Sequence, residues 1–431
     1  DKRKARKNNG AKRDMHYEME QEEHDVYPDD PDFDINKARL VTTAPRICVR
    51  YECVPMRFIK HVYKIHTYAQ DGRLFEGKTP VSAFLNSSYD GSFIAGLMEL
   101  RYIQSLPVER IINYFESHGF TLKKPTAHKL MEKASSLFEN LYKCIRQTAL
   151  SDPYKAADET YYKILVPEKN SKGKGVRKGY LWVVVGINTR MIYLLYDDGS
   201  RSEKVILNEL GGCKGIIQSD GYSPYRKLES DAYPHITRIP CLQHIKRKFI
   251  DCGEDDPDAK RIVEMINTLY QNEHKHKIGV DGWTVEQNLV HRKKYAPDIL
   301  GEIKDVLDDI EERGDLLPKS ELKEAITYLR NEWNAVVDIF NYGDTYLDNN
   351  IVERMNRYIS LSRKNSLFFG SHKGAERGAI LYTIALTCRM NKVNLFEYLT
   401  DVINRTAEWQ PNTPLEKYRL LLPDRWEKAN D

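Results

Sequence analysis

Three acidic residues stand where they could do chemistry together: Asp158 in Ala157-Asp158-Glu159-Thr160, Asp220 in Gln218-Ser219-Asp220-Gly221, and Glu353 in Ile351-Val352-Glu353-Arg354. Phosphodiester cleavage passes through a transition state with extra negative charge on oxygen. Two Mg²⁺ ions ~3.5–4 Å apart stabilise the attacking and leaving oxygens of an in-line displacement. Mg²⁺ takes oxygen ligands and keeps several waters, so a few carboxylates suffice to hold it. Carboxylates that repel one another alone become favourable neighbours around the cations. Each residue also has a plainer reading. Asp158 could end a strand, with Glu159 an equally acidic neighbour. Asp220-Gly221 is a common turn pair, and Glu353 with Arg357 could be an i,i+4 pair on a helix surface.

The order of the surrounding elements joins the three. Ala157–Val166 alternates and is rich in Tyr and Ile, Tyr180–Ile187 holds three consecutive valines, and Met191–Tyr196 returns after a turn. Ser202–Leu210 fits a short helix. Gly215–Ser219 is a strand ending at Asp220, and Ile236–Cys241 is another. A basic helix then runs through His244, Lys246, Arg247 and Lys248. Asp348-Asn349-Asn350 offers capping side chains for a helix through Glu353 and Arg357, and a further helix follows near Gly374–Arg389. This order predicts an α/β fold: a ribonuclease-H-like mixed sheet flanked by helices, formed by residues 151–253 and 341–390. Such a fold places one carboxylate on the first strand, one at the end of the fourth and one on a later helix. The separation 353 − 220 = 133 residues exceeds what one strand and one helix need. Residues 254–340 fill it with Leu, Ile and charges at helical spacing, with breaks expected at Gly279, Pro297, Gly314 and Pro318. They read as an all-helical insertion, and 391–431 as a polar C-terminal segment.

Residues 79–150 form a helical region, clearest over 92–150. Val108, Ile111, Ile112 and Phe115 share a face, Pro107 opens that helix and His118-Gly119 stops it. A second helix starts near Thr126. This is the outline of a helix-turn-helix or of an ordinary helical hairpin. As a helix-turn-helix it would carry Lys129 and Lys133 toward a major groove. Upstream, Ile47–Val54 and Phe58–His66 read as extended. Residues 1–40 crowd cations into Lys2–Arg13 and acids into Glu18–Asp34, the composition of a disordered charged tail. They contain no apolar signal core. No apolar run approaches the ~18 residues of a membrane span, so no membrane partner is expected. The net charge of +3 does not by itself point to an acidic partner. None of the seven cysteines forms a Cys-x-x-Cys pair, which argues against a disulfide framework or zinc ribbon and for a reducing cytoplasm.

Several blocks have a familiar wording. They are Ala157-Asp158-Glu159-Thr160, Gln218-Ser219-Asp220-Gly221-Tyr222 with Tyr225, and Cys241-Leu242-Gln243-His244 leading to Arg247-Lys248-Phe249. The longest runs from Asp348-Asn349-Asn350-Ile351-Val352-Glu353-Arg354 through Arg357 to Ser362-Arg363-Lys364-Asn365-Ser366-Leu367-Phe368-Phe369-Gly370-Ser371. Over roughly residues 50–425 their order and spacing resemble the insertion sequence 66 family of bacterial transposases. The resemblance implies an Asp-Asp-Glu transposase with Asp158, Asp220 and Glu353 as catalytic metal ligands. Mg²⁺ is the implied cofactor, with Mn²⁺ as a substitute. It implies double-stranded DNA with terminal inverted repeats as one partner and target DNA as another. A homo-oligomer, small companion proteins of the same element, and a bacterial cytoplasm near the nucleoid are also implied. Arg357, Arg363 and Lys364 become candidate phosphate contacts, and His244 either assists or is a structural histidine at a helix start.

The family's cysteine-paired zinc module has a counterpart at 41–78, but the cysteine pair expected near Tyr68 is missing. No zinc is therefore expected; binding it would require Cys48, Cys53, His61 and His66 to converge. Two other readings stay open: a DNA-binding remnant or regulator without catalysis, and a structure-specific nuclease on the same fold.

Overall fold

The computed structural model describes residues 56–62, 64, 67–70, 73–76, 83–84, 87–168, 175–410 and 412–428, and Arg57–Asp431 forms one unit. The charged tail 1–40 and the segment Ile47–Val54 lie outside the described residues, as do Cys48, Cys53 and His66. Within Phe58–His66, residues 58–62 have no regular structure. Phe58 packs instead against Phe93, Phe115 and Phe120, with ring centroids 5.9, 5.0 and 4.7 Å away. The strands come later, as a ribbon of β1 (Thr67–Gln70) antiparallel to β2 (Arg73–Glu76). Asp71-Gly72, which reads as a break in the sequence, lies between them, and Asp-Gly is a two-residue hairpin signal.

Four helices precede the sheet. α1 (Gly91–Met98) is capped by Asp90 and runs into a wider π-helical turn over Glu99–Ile103. α2 (Val108–Ser117) begins after Pro107, and Gly119 beyond it adopts φ +82°, the left-handed conformation that costs glycine little. α3 (Lys124–Leu137) starts earlier than Thr126 because Pro125 fits the first helical turn. α4 is Glu139–Ser151.

The sheet follows as β3 (Tyr154–Leu165), β4 (Val176–Gly186), β5 (Met191–Leu195), α5 (Glu203–Leu210), β6 (Gly215–Ser219), α6 (Ser223–Arg226), β7 (Ile236–Pro240) and α7 (Leu242–Ile250). Its strand order is β5-β4-β3-β6-β7; β4 is antiparallel to both β3 and β5, while β6 and β7 run parallel to β3. Trp182, Val183, Val184 and Val185 are all fully buried, because helices cover both faces. The edge of β5 is closed by side chains. Ile192 N donates to Thr387 Oγ1 (3.2 Å), Leu194 N donates to Thr383 Oγ1 (3.0 Å), and the Tyr142 hydroxyl donates to Leu194 O (2.9 Å).

The inserted stretch is helical, as α8 (Pro257–Glu273), α9 (Val285–Glu312) and α10 (Glu321–Ile339). Contrary to expectation, Pro297 does not break it: α9 continues straight through. An interior proline costs about 3 kcal/mol. Burial of Ala296, Leu300, Ile303 and Leu307 along one side offsets that cost. The chain returns through α11 (Asn350–Asn365) and α12 (His372–Met390). The C-terminal segment is not a polar appendage. It contains α13 (Leu395–Thr406) and α14 (Leu415–Arg419), and Tyr398, Leu399, Val402 and Ile403 are fully buried. Their i, i+1, i+4, i+5 spacing is an amphipathic pattern that the flanking charges and prolines obscure. Among the described residues, no helix is long and apolar enough to cross a membrane.

Candidate active site

β6 pairs with β3 only over the first three residues of β3, and the last matched residues are Ala156 and Gln218. Two residues further along the chain stand Asp158, on β3, and Asp220, one residue past the end of β6. The parallel register thus sets them at equivalent positions where the strands part, on the same sheet face as Ala156 and Gln218, because side chains alternate with period 2. α11 crosses this face. Its cap residue Asn349 donates from Nδ2 to Ala157 O at 2.9 Å, which fixes the start of the helix beside Asp158. Glu353 follows in the first turn, and Asn356, one turn later, donates to Asp158 Oδ2 at 2.7 Å.

These residues line an open cleft of about 270 Å³ formed by Asp158, Glu159, Thr160, Glu353, Asn356, Arg357, Ser360 and Arg363. Asp220 is not part of that lining, but its charge acts on Asp158. Burial first, then the charges of Glu159 and Asp220, push the Asp158 carboxyl up to about 7. Glu159, the rival acid, is otherwise engaged. It pairs with Arg201 (3.0 Å to Nε) and accepts from the Tyr225 hydroxyl at 3.5 Å. Burial raises its pKa, and Arg201 opposes the rise.

The cleft contains unanswered polar atoms. Glu353 Oε1, Asn356 Oδ1, Asn349 Oδ1 and His244 Nδ1 are buried without a hydrogen-bond partner. His244 Nε2 lies 3.5 Å from Glu353 Oε1 without hydrogen-bond alignment. The Cys241 thiol, pushed up to about 12 by burial, completes a group whose ligand atoms lie within 4.8 Å of one another. A thiol that keeps its proton is a poor ligand for a hard cation. The oxygens of Asp158, Asp220, Glu353 and Asn356 are a donor set that Mg²⁺ accepts.

Of the expected cationic contacts, Arg357 and Arg363 border the cleft and Lys364 is exposed at the end of α11. Arg363 donates to Thr160 Oγ1 (3.2 Å) and Tyr161 O (2.7 Å) and lies 4.0 Å over the Tyr161 ring. Lys129 and Lys133 are on α3, which packs on α1, α2, α4 and α12 and contributes nothing to the cleft lining.

A family model described as "Transposase IS66 family" matches residues 86–377, more than half of the 431-residue chain. The chain belongs to the IS66 transposase family. It is similar to three uncharacterized proteins of Sinorhizobium fredii. It is 26% identical to y4jD over 346 residues, which is 77% of this chain and 65% of y4jD. It is 24% identical to y4hP over 438 residues, 92% of this chain and 76% of y4hP. It is 26% identical to y4qI over 384 residues, 85% of this chain and 69% of y4qI. The chain thus spans just under two thirds of the length of y4jD. The matched family region contains Asp158, Asp220, Glu353, His244, Arg357 and Arg363.

Sequence reasoning missed Asn349, Asn356, Cys241 and Lys178 at or near this site. Asn349 stands four residues before Glu353 and Asn356 three residues after it, a helical spacing that was an available signal. Lys178 was not legible, because its place depends on pairing: Lys178 faces Lys163 across the β3–β4 ladder and lies 4.2 Å over the Tyr161 ring.

Proposed function

We propose that the chain is a DNA transposase that cuts and joins phosphodiester bonds at the ends of a mobile element, on a ribonuclease-H-like core. The observation that carries this reading is the concentration of negative charge where β3 and β6 part. Glu159 and Asp220 act on Asp158 with the same sign, Glu353 lines the same cleft as Asp158, and a bound cation would supply the missing compensation. The strand order, three antiparallel strands followed by two parallel ones, supports the ribonuclease-H-like assignment, and family membership supports the reaction class.

In this reading the oxygens of Asp158, Asp220 and Glu353 hold two Mg²⁺ ions, or Mn²⁺ in their place. When bound, these ions would stabilise the attacking and leaving oxygens of an in-line displacement. The chain's own residues do the rest. Asn356 fixes the Asp158 carboxylate, and Asn349 fixes the helix that presents Glu353. Arg357, Arg363 and Lys364 hold phosphates beside the cleft, and Lys178 extends that cationic border. His244, 3.5 Å from Glu353, assists at the same site. Water attacks phosphorus at the element end, and one P–O bond forms as another breaks to release a 3′-hydroxyl. That hydroxyl then attacks target DNA in a second exchange of the same kind, so the protein is never covalently linked to DNA. Helices α2 and α3, with Lys129 and Lys133, contact the terminal inverted repeats. Joining two element ends calls for a homo-oligomer, and small companion proteins of the same element belong to the working assembly. The site of action is the bacterial cytoplasm at the nucleoid.

The test is Mg²⁺-dependent cleavage of a labelled element-end duplex by the intact chain and by Asp158→Ala, Asp220→Ala and Glu353→Ala. Each variant is expected to lose at least ~10³-fold in rate, because several kcal/mol of charge stabilisation disappears, while binding of the duplex persists. A variant that cuts like the parent removes its residue from the metal set. Binding without any cutting, companion proteins included, would favour the non-catalytic reading.

A further inference from the structure

Among the elements between β6, which ends one residue before Asp220, and α11, which carries Glu353, the helices α8–α10 are tied to both. The first tie is at the Asp220 turn. Arg238 of β7, 2% exposed, donates to Ser219 Oγ (3.0 Å), Asp220 O (2.7 Å), Glu229 and Glu332 Oε2 (2.5 Å). Glu332 lies on α10 and is 1% exposed. One turn earlier on the same face of α10, the Tyr328 hydroxyl accepts from Gly221 N at 2.8 Å. A Cβ on Gly221 would come within 2.5–2.7 Å of the Tyr328 ring and hydroxyl, so this close approach requires glycine. Three consecutive residues, Ser219, Asp220 and Gly221, are thereby held by one network that ends on α10.

The second tie is at the return segment. Arg292 of α9, 1% exposed, donates to Tyr342 O (2.5 Å), Thr345 O (2.6 Å) and Thr345 Oγ1 (2.7 Å) and pairs with Glu273 of α8. From Thr345 the chain runs directly to Asn349 and the first turn of α11.

We infer that α8–α10 act as a brace that sets the position of Asp220 relative to Glu353, with Tyr328 and Glu332 as positioning residues for Asp220 and Arg292 as the corresponding residue for the return segment. This rests on the carboxylate reading above. A helical module that only packed on the sheet would need apolar contacts and no more. Here, buried arginines are spent on backbone carbonyls and a hydroxyl of the two segments that deliver the acids. Gly221 is contacted directly by a side chain more than 100 positions away in sequence, Tyr328, and Asp220 is reached by Glu332 through Arg238.

The experiment uses the full chain without DNA. Tyr328→Phe removes one hydroxyl and keeps the ring. Glu332→Gln keeps the shape and removes a charge. Hydrogen exchange of the peptide spanning Gly221 and Tyr222 is measured without metal, with the β4–β5 peptide as internal reference. Mn²⁺ binding is then measured by electron paramagnetic resonance, with Asp220→Asn alongside. The brace predicts faster exchange at Gly221 and Tyr222 in Tyr328→Phe with the reference peptide unchanged. It also predicts Mn²⁺ affinity weakened roughly 10-fold or more, as for other residues that orient metal ligands. Unchanged exchange at the turn overturns the brace. Faster exchange with unchanged Mn²⁺ affinity, while Asp220→Asn weakens Mn²⁺ binding, overturns the positioning role alone. If Asp220→Asn itself leaves Mn²⁺ binding unchanged, the carboxylate reading has failed and the inference falls with it. Glu332→Gln serves as the second arm; if it unfolds, Tyr328→Phe still decides.

Discussion

Two buried charge clusters meet at the end of β6, and they are built on opposite rules. Around Arg238, both Glu229 and Glu332 answer the guanidinium, and its remaining donors reach Ser219 Oγ and Asp220 O. Around Asp158, on the other side of β6, Glu159 and Asp220 add charge of the same sign, and the hydrogen bond from Asn356 only partly compensates. In the Arg238 cluster the charges are balanced by the protein itself, with Arg226 Nε 3.9 Å from Glu332 Oε1 as the second cation, although that oxygen has no hydrogen-bond partner. The unbalanced one has room, an open mouth and unanswered oxygens. Burial is thus a poor guide to function by itself, and charge balance within the buried set separates a structural tie from a site for a ligand.

Removing charge from each cluster should therefore have opposite effects. Glu332→Ala leaves Arg238 buried with half its compensation and is expected to destabilise the fold by about 3–5 kcal/mol. Glu353→Ala, measured without metal, should leave stability unchanged or slightly raised. Chemical denaturation of both variants checks this, and equal losses would erase the distinction. Next in size, saturating Mg²⁺ should stabilise the parent by about 2.7 kcal/mol at 100 times its Kd. It should do little for a variant with Asn at 158 and 220, and thermal scans with and without chelator would show it.

A smaller effect concerns pH. The Asp158 carboxyl titrates at about 7 in the metal-free fold, against ~3.9 in an unfolded chain. Its folded-state pKa is raised, so the folded state holds a proton that the unfolded state has lost. Stability is then greatest at low pH and falls as pH rises from ~4 toward 7. Melting temperatures in chelator should drop between pH 5 and pH 8 in the parent, and drop less in Asp158→Asn. A steeper fall in the variant would mean that another group carries the dependence. The smallest effect is expected at the cationic border: Lys178→Ala should lower the salt slope of duplex binding by ~0.9, the value of one phosphate contact. No change would remove Lys178 from the interface.

Much of this arrangement was legible in the sequence. The strands around Asp158 and Asp220 announce themselves through Tyr, Ile and Val runs, and the helix of Glu353 through Asp348-Asn349-Asn350. Where the sequence misled, a long-range contact overrode a local signal. Pro297 lies inside α9 because the buried side of that helix pays back its cost. Asp71-Gly72 joins two strands whose pairing partners had no strong pattern. Residues 391–431 hide an amphipathic helix among prolines and charges. The choice between Asp158 and Glu159 was undecidable locally, since both are acids on one strand. The fold gives them different partners, Arg201 for Glu159 and Asn356 for Asp158, 42 and 198 residues away. Several residues of the long family-like block also hold structure together: Ser362 accepts from buried Arg101 and from Tyr382, and Phe369 exchanges backbone bonds with Lys163 and Leu165.

The threonines on α12 have a further consequence. A sheet grows when the outermost strand offers its free amides and carbonyls to a newcomer. At β5 those groups are already engaged by Thr383, Thr387 and Tyr142. Strand addition at this edge is blocked, both for a second copy of the chain and for an aggregating neighbour. Any neighbour that docks at this side of the sheet must therefore do so through side chains of α12 and α4 and not by adding a strand to β5.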